Sequence, residues 1–217
     1  MERIWIIGGG RFGGLAAERL SRRRRPPELV IVDPEGKRLS GLEGANRVLR
    51  VADGLAFLAR ELGEAASPDW VVPALPRHMA AEWLGLRLGS EGLKRRPIPR
   101  ELKAALPNPF SGETGDLYVS FADFLCPDDC PEPASHCTAT GKPREANLFD
   151  RLAALETPGL PVRVVRSHQL APGVGGVRPD QLWRLLRQVS DTPGLQAVAT
   201  ACRCHGVVTA LERILPA

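Results

Sequence analysis

The feature that most constrains the fold is a run of glycines between a strand pattern and a helix pattern. The segment Gly8-Gly9-Gly10-Arg11-Phe12-Gly13 fits the spacing G-x-G-x-x-G. The apolar run 4–7 before it is typical of a buried strand, and the Ala/Leu-rich run 12–20 after it is typical of a helix. A strand, a tight glycine turn and a helix in this order predict the first unit of a parallel α/β sheet.

Each glycine of this turn has its own physical reason. Gly8 permits the tight turn, Gly10 lets the backbone approach a pyrophosphate, and Gly13 lets the helix pack closely against the strand. The start of the helix presents unpaired N–H groups and the positive end of its dipole to the phosphates. The pattern therefore predicts a dinucleotide site that includes Arg11 and Phe12 with the three glycines.

Asp33 ends the second strand pattern, about 20 residues after Gly13, where an acidic side chain binds a ribose 2′-hydroxyl. A carboxylate there repels a 2′-phosphate, so the sequence favours NAD over NADP. Lys37 and Arg38 follow closely and still allow NADP.

The segment 6–16, Ile-Ile-Gly-Gly-Gly-Arg-Phe-Gly-Gly-Leu-Ala, resembles the NAD-binding Rossmann superfamily. Within it, the segment is similar to the nucleotide-binding regulatory (TrkA-type) domains of potassium uptake systems. The resemblance covers roughly the first 85 residues and implies that Gly8, Gly10, Gly13 and Asp33 bind the dinucleotide. It does not extend to the cysteine-rich C-terminal half, so it does not predict potassium transport.

Strand and helix patterns alternate along the first part of the chain. They predict a Rossmann-like, doubly wound, mostly parallel sheet whose dinucleotide-binding half covers residues 1–88. Residues 89–217 predict an α/β half that carries a cysteine-rich loop at 126–143 and either continues the same sheet or stands apart. In this half we expect a surface linker at 89–109 and a final helix over 207–215.

The five cysteines fall into a loop group and a strand-end group: Cys126, Cys130 and Cys137, and Cys202 and Cys204 beside His205. The loop is too polar to form a packed structure by itself, so contacts with something outside the loop must order it. Both groups follow strand patterns, and sites form beyond the carboxyl ends of parallel strands. We therefore expect the two groups to meet at one sheet edge.

Thiolates are soft ligands that suit zinc and iron–sulfur clusters. Three loop cysteines with a fourth from elsewhere fit an iron–sulfur cluster, but the spacing matches no standard ferredoxin or zinc-knuckle run. The metal therefore stays open between iron–sulfur and zinc. Further candidate ligands are His205, His168, His136, Asp128 and Asp129. Unreactive buried cysteines and a redox thiol pair are the alternatives without a metal.

One further residue is a candidate for chemistry. His78 lies just past the fourth strand pattern, where a substrate would sit, and is a candidate for proton transfer. No Ser/His/Asp or paired-carboxylate arrangement stands out.

Composition excludes several classes of protein. Of 217 residues, 43% are hydrophobic and 25% charged, as in globular domains, and no run approaches the roughly 20 apolar residues of a membrane span. The N-terminus has no signal-peptide pattern, which predicts a cytoplasmic location. The net charge of +4 is mild and aromatic residues are only 5%, so we do not expect nucleic-acid binding. A protein partner or a homo-oligomer stays open.

These features support two hypotheses. The first is an NAD(H)-binding oxidoreductase, or its subunit, with a cysteine-ligated iron–sulfur or metal centre. The second is a non-catalytic NAD/NADH sensor, as the TrkA-type resemblance implies, with a structural zinc site.

Overall fold

The computed structural model describes residues 1–64 and 67–215. Its first half alternates strands and helices: β1 Arg3–Ile7, α1 Arg11–Ser21, β2 Glu28–Asp33, α2 Gly36–Leu39, β3 Arg47–Val51, α3 Gly54–Glu61, β4 Trp70–Pro73 and α4 Met79–Gly92. The four strands form a parallel sheet in the order β3-β2-β1-β4. The predicted parallel sheet is confirmed for this half of the chain.

Both faces of the first sheet are covered. Ile4 and Ile6 of β1 pack with Leu20 of α1 on one face. Trp5 and Ile7 of the same strand belong to a core that also contains residues of α3, of α4 and of the later helix over 179–190. Because parallel strands buried on both faces are apolar without interruption, the local sequence pattern reports them well.

The second half builds a separate six-stranded sheet and a small two-stranded antiparallel sheet over 168–176. Its elements are β5 Leu93–Arg96, α5 Arg100–Ala105, β6 Phe110–Ser111, β7 Leu117–Ser120, α6 Leu148–Ala153, β8 Val162–Arg166, β9 His168–Ala171, β10 Val174–Gly176, α7 Pro179–Ser190, β11 Gly194–Ala201 and β12 His205–Arg213. The strand order is β6-β7-β12-β11-β8, β5 also pairs with β12, and only β8 and β11 are parallel. A mostly parallel sheet is therefore wrong for this half, because its central strand runs antiparallel to its neighbours.

Two local predictions fail in this half. The predicted helix 207–215 is instead the central strand β12, in which Val207, Val208 and Thr209 are β-branched and fit a strand between two others. The predicted linker 89–109 contains β5 and α5.

The two halves share one core. Trp83 of α4 and Leu182 of α7 belong to the same buried cluster as Ile7 of the first sheet and Val198 of the second. Backbone bonds between Val71 and Val177 also join the halves. None of the helices in the described ranges is long and apolar enough to cross a membrane.

Candidate functional site

The glycine turn, residues 8–13, connects β1 to α1. Gly8 has a φ of +111°, a conformation that side-chain-bearing residues rarely adopt. A Cβ on Gly13 would overlap the carbonyl oxygen of Gly8, so α1 packs directly onto the end of β1. A Cβ on Gly10 would meet nothing within 4 Å, so the outer side of the turn is open. The three glycines thus have three different environments: a positive φ at Gly8, a close helix–strand contact at Gly13 and open space beside Gly10.

The first turn of α1 faces outward. Gly10 is the N-cap residue of α1, and no side-chain acceptor caps the helix start within the described residues. The first helical turn also contains no acidic residue. Phe12 is 61% exposed and Arg11 is exposed. The backbone N–H groups of this turn, with the positive end of the helix dipole, are arranged to accept an anion.

Asp33 lies at the carboxyl end of β2, next to the glycine turn. Its Oδ2 accepts the N–H of Gly9 at 2.8 Å, and its Oδ1 accepts the N–H of Glu35 at 2.8 Å. The residue is only 2% exposed, and Arg38 Nη1 lies 3.9 Å from Oδ2. Each carboxylate oxygen retains a second acceptor site, which a ribose hydroxyl would share with these backbone bonds.

Four of the five cysteines line one cavity of about 510 Å³, which we call the four-cysteine cavity: Cys126, Cys130, Cys137 and Cys204. The first three lie in the cysteine loop, residues 126–143, between β7 and α6. Cys204 lies in the turn between β11 and β12. The antiparallel pairing of β12 with both β7 and β11 brings the loop and this turn to one sheet edge.

Cys137 lies in a tight turn whose N–H groups converge on its sulfur. The Thr140 hydroxyl, the Thr140 N–H and the Ala139 N–H donate to this sulfur and hold the pKa of Cys137 below its usual value. Gly141, with φ +70°, closes the turn and donates its N–H to the Cys137 carbonyl at 2.8 Å. Donors at the second and third residues after a cysteine stabilise a thiolate, the form that binds a metal.

Cys126 and Cys204 have opposite environments. Burial first, and then the charges of the neighbouring cysteines, raise the pKa of Cys126. Hydrogen bonds from Cys202, from His205 and from Arg144 lower the pKa of Cys204 to about 4. The thiols are therefore close enough to influence one another across the cavity, and a bound cation would relieve the repulsion between their thiolates.

Cys202, Cys204 and His205 form a second, compact group. One sulfur or nitrogen atom of each lies within 4.8 Å of the others, a set that could hold a metal ion. The N–H of His205 contacts the Cys202 sulfur at 3.4 Å. The hydrogen bond with Cys204 and burial raise the pKa of Cys202. Cys202 does not line the four-cysteine cavity, which has Cys204 as the strand-end cysteine among its described lining residues.

The cysteine loop docks on α1 and on the β9–β10 hairpin. Arg11 Nη2 lies 2.9 Å from Asp128 Oδ2, and Arg19 Nη1 donates to the carbonyl oxygens of Asp128 at 2.6 Å and Pro172 at 2.8 Å. The Cys130 carbonyl accepts the Gly173 N–H at 2.9 Å. The helix that begins at the glycine turn therefore also supports the cysteine loop.

His78, the residue before α4, is buried against the sheet of the second half. Its Nδ1 lies 2.7 Å from Thr209 Oγ1 and its Nε2 lies 2.9 Å from Thr200 Oγ1. Thr209 donates in turn to the buried Asp116. Burial lowers the pKa of His78 to about 4. Both ring nitrogens are engaged in the core, so this geometry supports a packing role.

The other predicted ligands lie outside the four-cysteine cavity. His168 Nε2 lies 3.2 Å from Gln181 Nε2, and its ring lies 5.2 Å from the Trp70 ring at a tilt of 58°. His136 Nδ1 lies 2.9 Å from the Ser135 hydroxyl. Sequence reasoning missed Arg144, Arg19 and Gln169, because their contacts with this site come from residues far away along the chain.

Comparisons with known proteins give a family but no activity. Residues 80–214 match the model of a family described as "Uncharacterized protein, C-terminal domain". A protein of Archaeoglobus fulgidus described as "Uncharacterized protein" is 31% identical over 221 residues, which cover 96% of this chain and 98% of the relative. No solved structure matches the chain.

Proposed function

This chain belongs to the family defined by that C-terminal domain, and we propose that it is a dinucleotide-binding redox protein with a thiolate-ligated metal centre. The observation that carries the proposal is the convergence of Cys126, Cys130, Cys137 and Cys204 on one cavity. Cysteines from a loop and from a distant strand end meet there, and none of the buried apolar clusters found among the described residues includes them.

The donor set fits a soft metal. Four thiols can satisfy zinc or an iron–sulfur cluster, both of which are held by four cysteine sulfurs in proteins. The loop from Pro127 to Pro143 has little apolar content of its own. A centre that binds three of its cysteines would stabilise the loop and tie it to Cys204.

The spread of the four sulfurs favours a cluster over a single ion. Structural zinc sites are closed, with four ligand atoms directly around the ion. In the part of the chain that the structure describes, the group whose ligand atoms all lie within 4.8 Å of one another is Cys202, Cys204 and His205, so the sulfurs of the four-cysteine cavity do not surround one point this closely. An iron–sulfur cluster, when bound, supplies one-electron transfer at a potential set by its protein surroundings.

The first half supplies a dinucleotide site in this proposal. The open side of Gly10 would receive the pyrophosphate, and the first turn of α1 would offer its N–H groups. Asp33 would hold the adenosine ribose while it keeps its bond to Gly9. The strand order β3-β2-β1-β4 supports a Rossmann-like interpretation. Strands β2 and β3 lie on one side of β1 and β4 lies on the other, so the glycine turn after β1 lies where the strand order reverses, which is where such sheets bind ligands.

Two measurements on one preparation test the proposal. Protein purified without oxygen should absorb near 400 nm, about as cysteine-ligated clusters do, and should contain iron and sulfide. Titration with NAD, NADH and NADP should show binding, and Asp33→Ala should weaken NAD binding and reduce discrimination against NADP. Binding of no dinucleotide would remove the first half of the proposal, and absence of any metal would remove the second.

The group of Cys202, Cys204 and His205 favours a second candidate function. Two sulfurs and one nitrogen within 4.8 Å of one another match the donors of a zinc site. With a fourth ligand from the cysteine loop, zinc at this group would tie the loop to the turn between β11 and β12. The centre would then have only a structural role, and the protein would act as an NAD/NADH sensor. Colourless protein that contains about one zinc per chain and binds a dinucleotide would support this candidate.

A further inference from the structure

We propose that Arg144 is a positioning residue of the metal centre. Arg144 joins the cysteine loop to the turn that carries Cys204, and it donates a hydrogen bond to the sulfur through which Cys204 would bind the metal. The inference rests on the proposed function, because it assumes that Cys204 is a ligand.

Arg144 connects both sides of the four-cysteine cavity. Its Nη1 donates to the Cys204 sulfur at 3.0 Å. Its Nε donates to the Pro133 carbonyl at 3.2 Å, and its Nη2 donates to the His136 carbonyl at 3.3 Å. One guanidinium thus fixes the segment between Cys130 and Cys137 against the turn from the other part of the sheet.

The local backbone holds Arg144 in this place. Its N–H donates to the Ser135 carbonyl at 2.9 Å, and a bridge pairs the neighbouring Pro143 with His136. A planar guanidinium presents its donors at fixed angles, so a side chain fixed at its base points each N–H at one acceptor. Lysine would keep the charge but could not make the three bonds together.

The charge of Arg144 is directed at the cysteine rather than at a carboxylate. None of the ion pairs found among the described residues includes Arg144. A charged donor to a ligand sulfur stabilises the electron-rich thiolate, and such outer partners orient ligands and tune the metal. Hydrogen bonds to cluster sulfurs and the net charge nearby also set reduction potentials.

The chain offers a matched control. Arg151 lines the same cavity, but its guanidinium lies over the ring of Phe121 at 5.7 Å. It carries the same charge, and no bond between it and a cysteine sulfur is found in the described residues. Arg151→Gln therefore removes an equal charge from the cavity without removing a donor to sulfur.

Cobalt(II) is a suitable probe, because its sulfur charge-transfer bands report thiolate coordination whichever metal the protein holds in the cell. Full-length protein stripped of metal is titrated with Co²⁺ for the wild type, Arg144→Gln, Arg144→Lys and Arg151→Gln. We expect Arg144→Gln to bind Co²⁺ about 10- to 100-fold more weakly, as loss of an outer-shell partner does, and Arg151→Gln to match the wild type. The charge-transfer bands should move in both Arg144 variants and stay in place in Arg151→Gln.

Each result decides a different claim. Wild-type protein that takes up no Co²⁺ through its cysteines overturns the proposed centre and this inference together. Uptake by the wild type with equal affinity and equal bands in Arg144→Gln overturns this inference alone. If Arg144→Gln binds Co²⁺ more weakly but its charge-transfer bands do not move, the claim that Arg144 donates to the metal-bound sulfur is overturned, because Arg144 would then only hold the loop in place. If Arg144→Gln does not fold, Arg144→Lys decides by the same bands.

Discussion

Arg11 Nη2 lies 2.9 Å from Asp128 Oδ2, and this contact joins the glycine turn to the cysteine loop. The two side chains are 74% and 46% exposed, so the ion pair contributes at most about 1 kcal/mol. Arg19, about two turns further along α1, is only 19% exposed and donates to two backbone carbonyls. The pair shows where the glycine turn meets the cysteine loop, and Arg19, which is less exposed and has two backbone acceptors, provides the stronger of the two attachments.

Replacement of Arg19 by methionine should loosen the cysteine loop. The change leaves the carbonyl groups of Asp128 and Pro172 without their charged donor, and we expect the free energy of unfolding to fall by about 1–3 kcal/mol. Arg11→Met is the matched control and should change it by less than about 1 kcal/mol. Urea unfolding followed by circular dichroism measures both, and equal losses would show that the docking does not depend on Arg19.

Alanine substitutions in the glycine turn should separate folding from binding. Gly13→Ala forces a methyl group onto the Gly8 carbonyl and should cost about 3 kcal/mol of stability. Gly10→Ala meets no neighbour and should change stability by less than about 1 kcal/mol, yet its methyl group would occupy the approach of a pyrophosphate. Calorimetric NADH titration of the stable Gly10→Ala protein should show much weaker binding than the wild type. Unchanged affinity would place the dinucleotide elsewhere.

His78 should make stability depend on pH in the acid range. Burial lowers its pKa from 6.5 to about 4 in the folded protein, so the unfolded chain takes up the proton first. The stability that neutral His78 contributes to the folded protein is fully present above pH 6.5 and is lost as the pH falls towards 4. We expect the free energy of unfolding to fall by about 2 kcal/mol by pH 5 from this residue.

Urea unfolding at pH 7 and pH 5 tests this dependence. Because carboxylates also titrate, the comparison is between the wild type and His78→Gln, which keeps a polar group between Thr200 and Thr209. The variant should lose about 2 kcal/mol less than the wild type over this interval. Parallel losses in both proteins would mean that His78 is not held neutral by the core.

The first half of the fold could be predicted because its information is local. The run from Ile4 to Ile7 is buried on both faces, so its apolar character is visible without knowledge of its partners. The same holds for Gly13, whose close neighbour is the Gly8 carbonyl of the same turn, whereas Gly8 lies against Ala74, which follows β4. Asp33 lies at the end of β2 as the sequence predicts, but its oxygens also accept the N–H groups of Gly9 and Glu35, which the sequence does not reveal.

The second half depends on contacts between distant residues. Val207 and Thr209 lie in a segment with both helical and strand character, and pairing with β11 and β7 decides for a strand. The cysteines could be identified by their chemistry, but the choice of Cys204 over Cys202 for the cavity depends on how a turn is oriented. Arg144 could not be found, because its sulfur partner lies 60 residues away.

The metal content of two cysteine variants tests whether Cys204 is a ligand of a centre in the four-cysteine cavity. Wild type, Cys204→Ser and Cys202→Ser are purified without oxygen, and iron, sulfide and zinc are measured per chain. We expect metal in the wild type, nearly the same amount in Cys202→Ser, and a large loss in Cys204→Ser, because Cys204, and not Cys202, is among the described residues that line the cavity with the three loop cysteines. Wild-type protein without metal, or a loss in Cys202→Ser as large as that in Cys204→Ser, would contradict it.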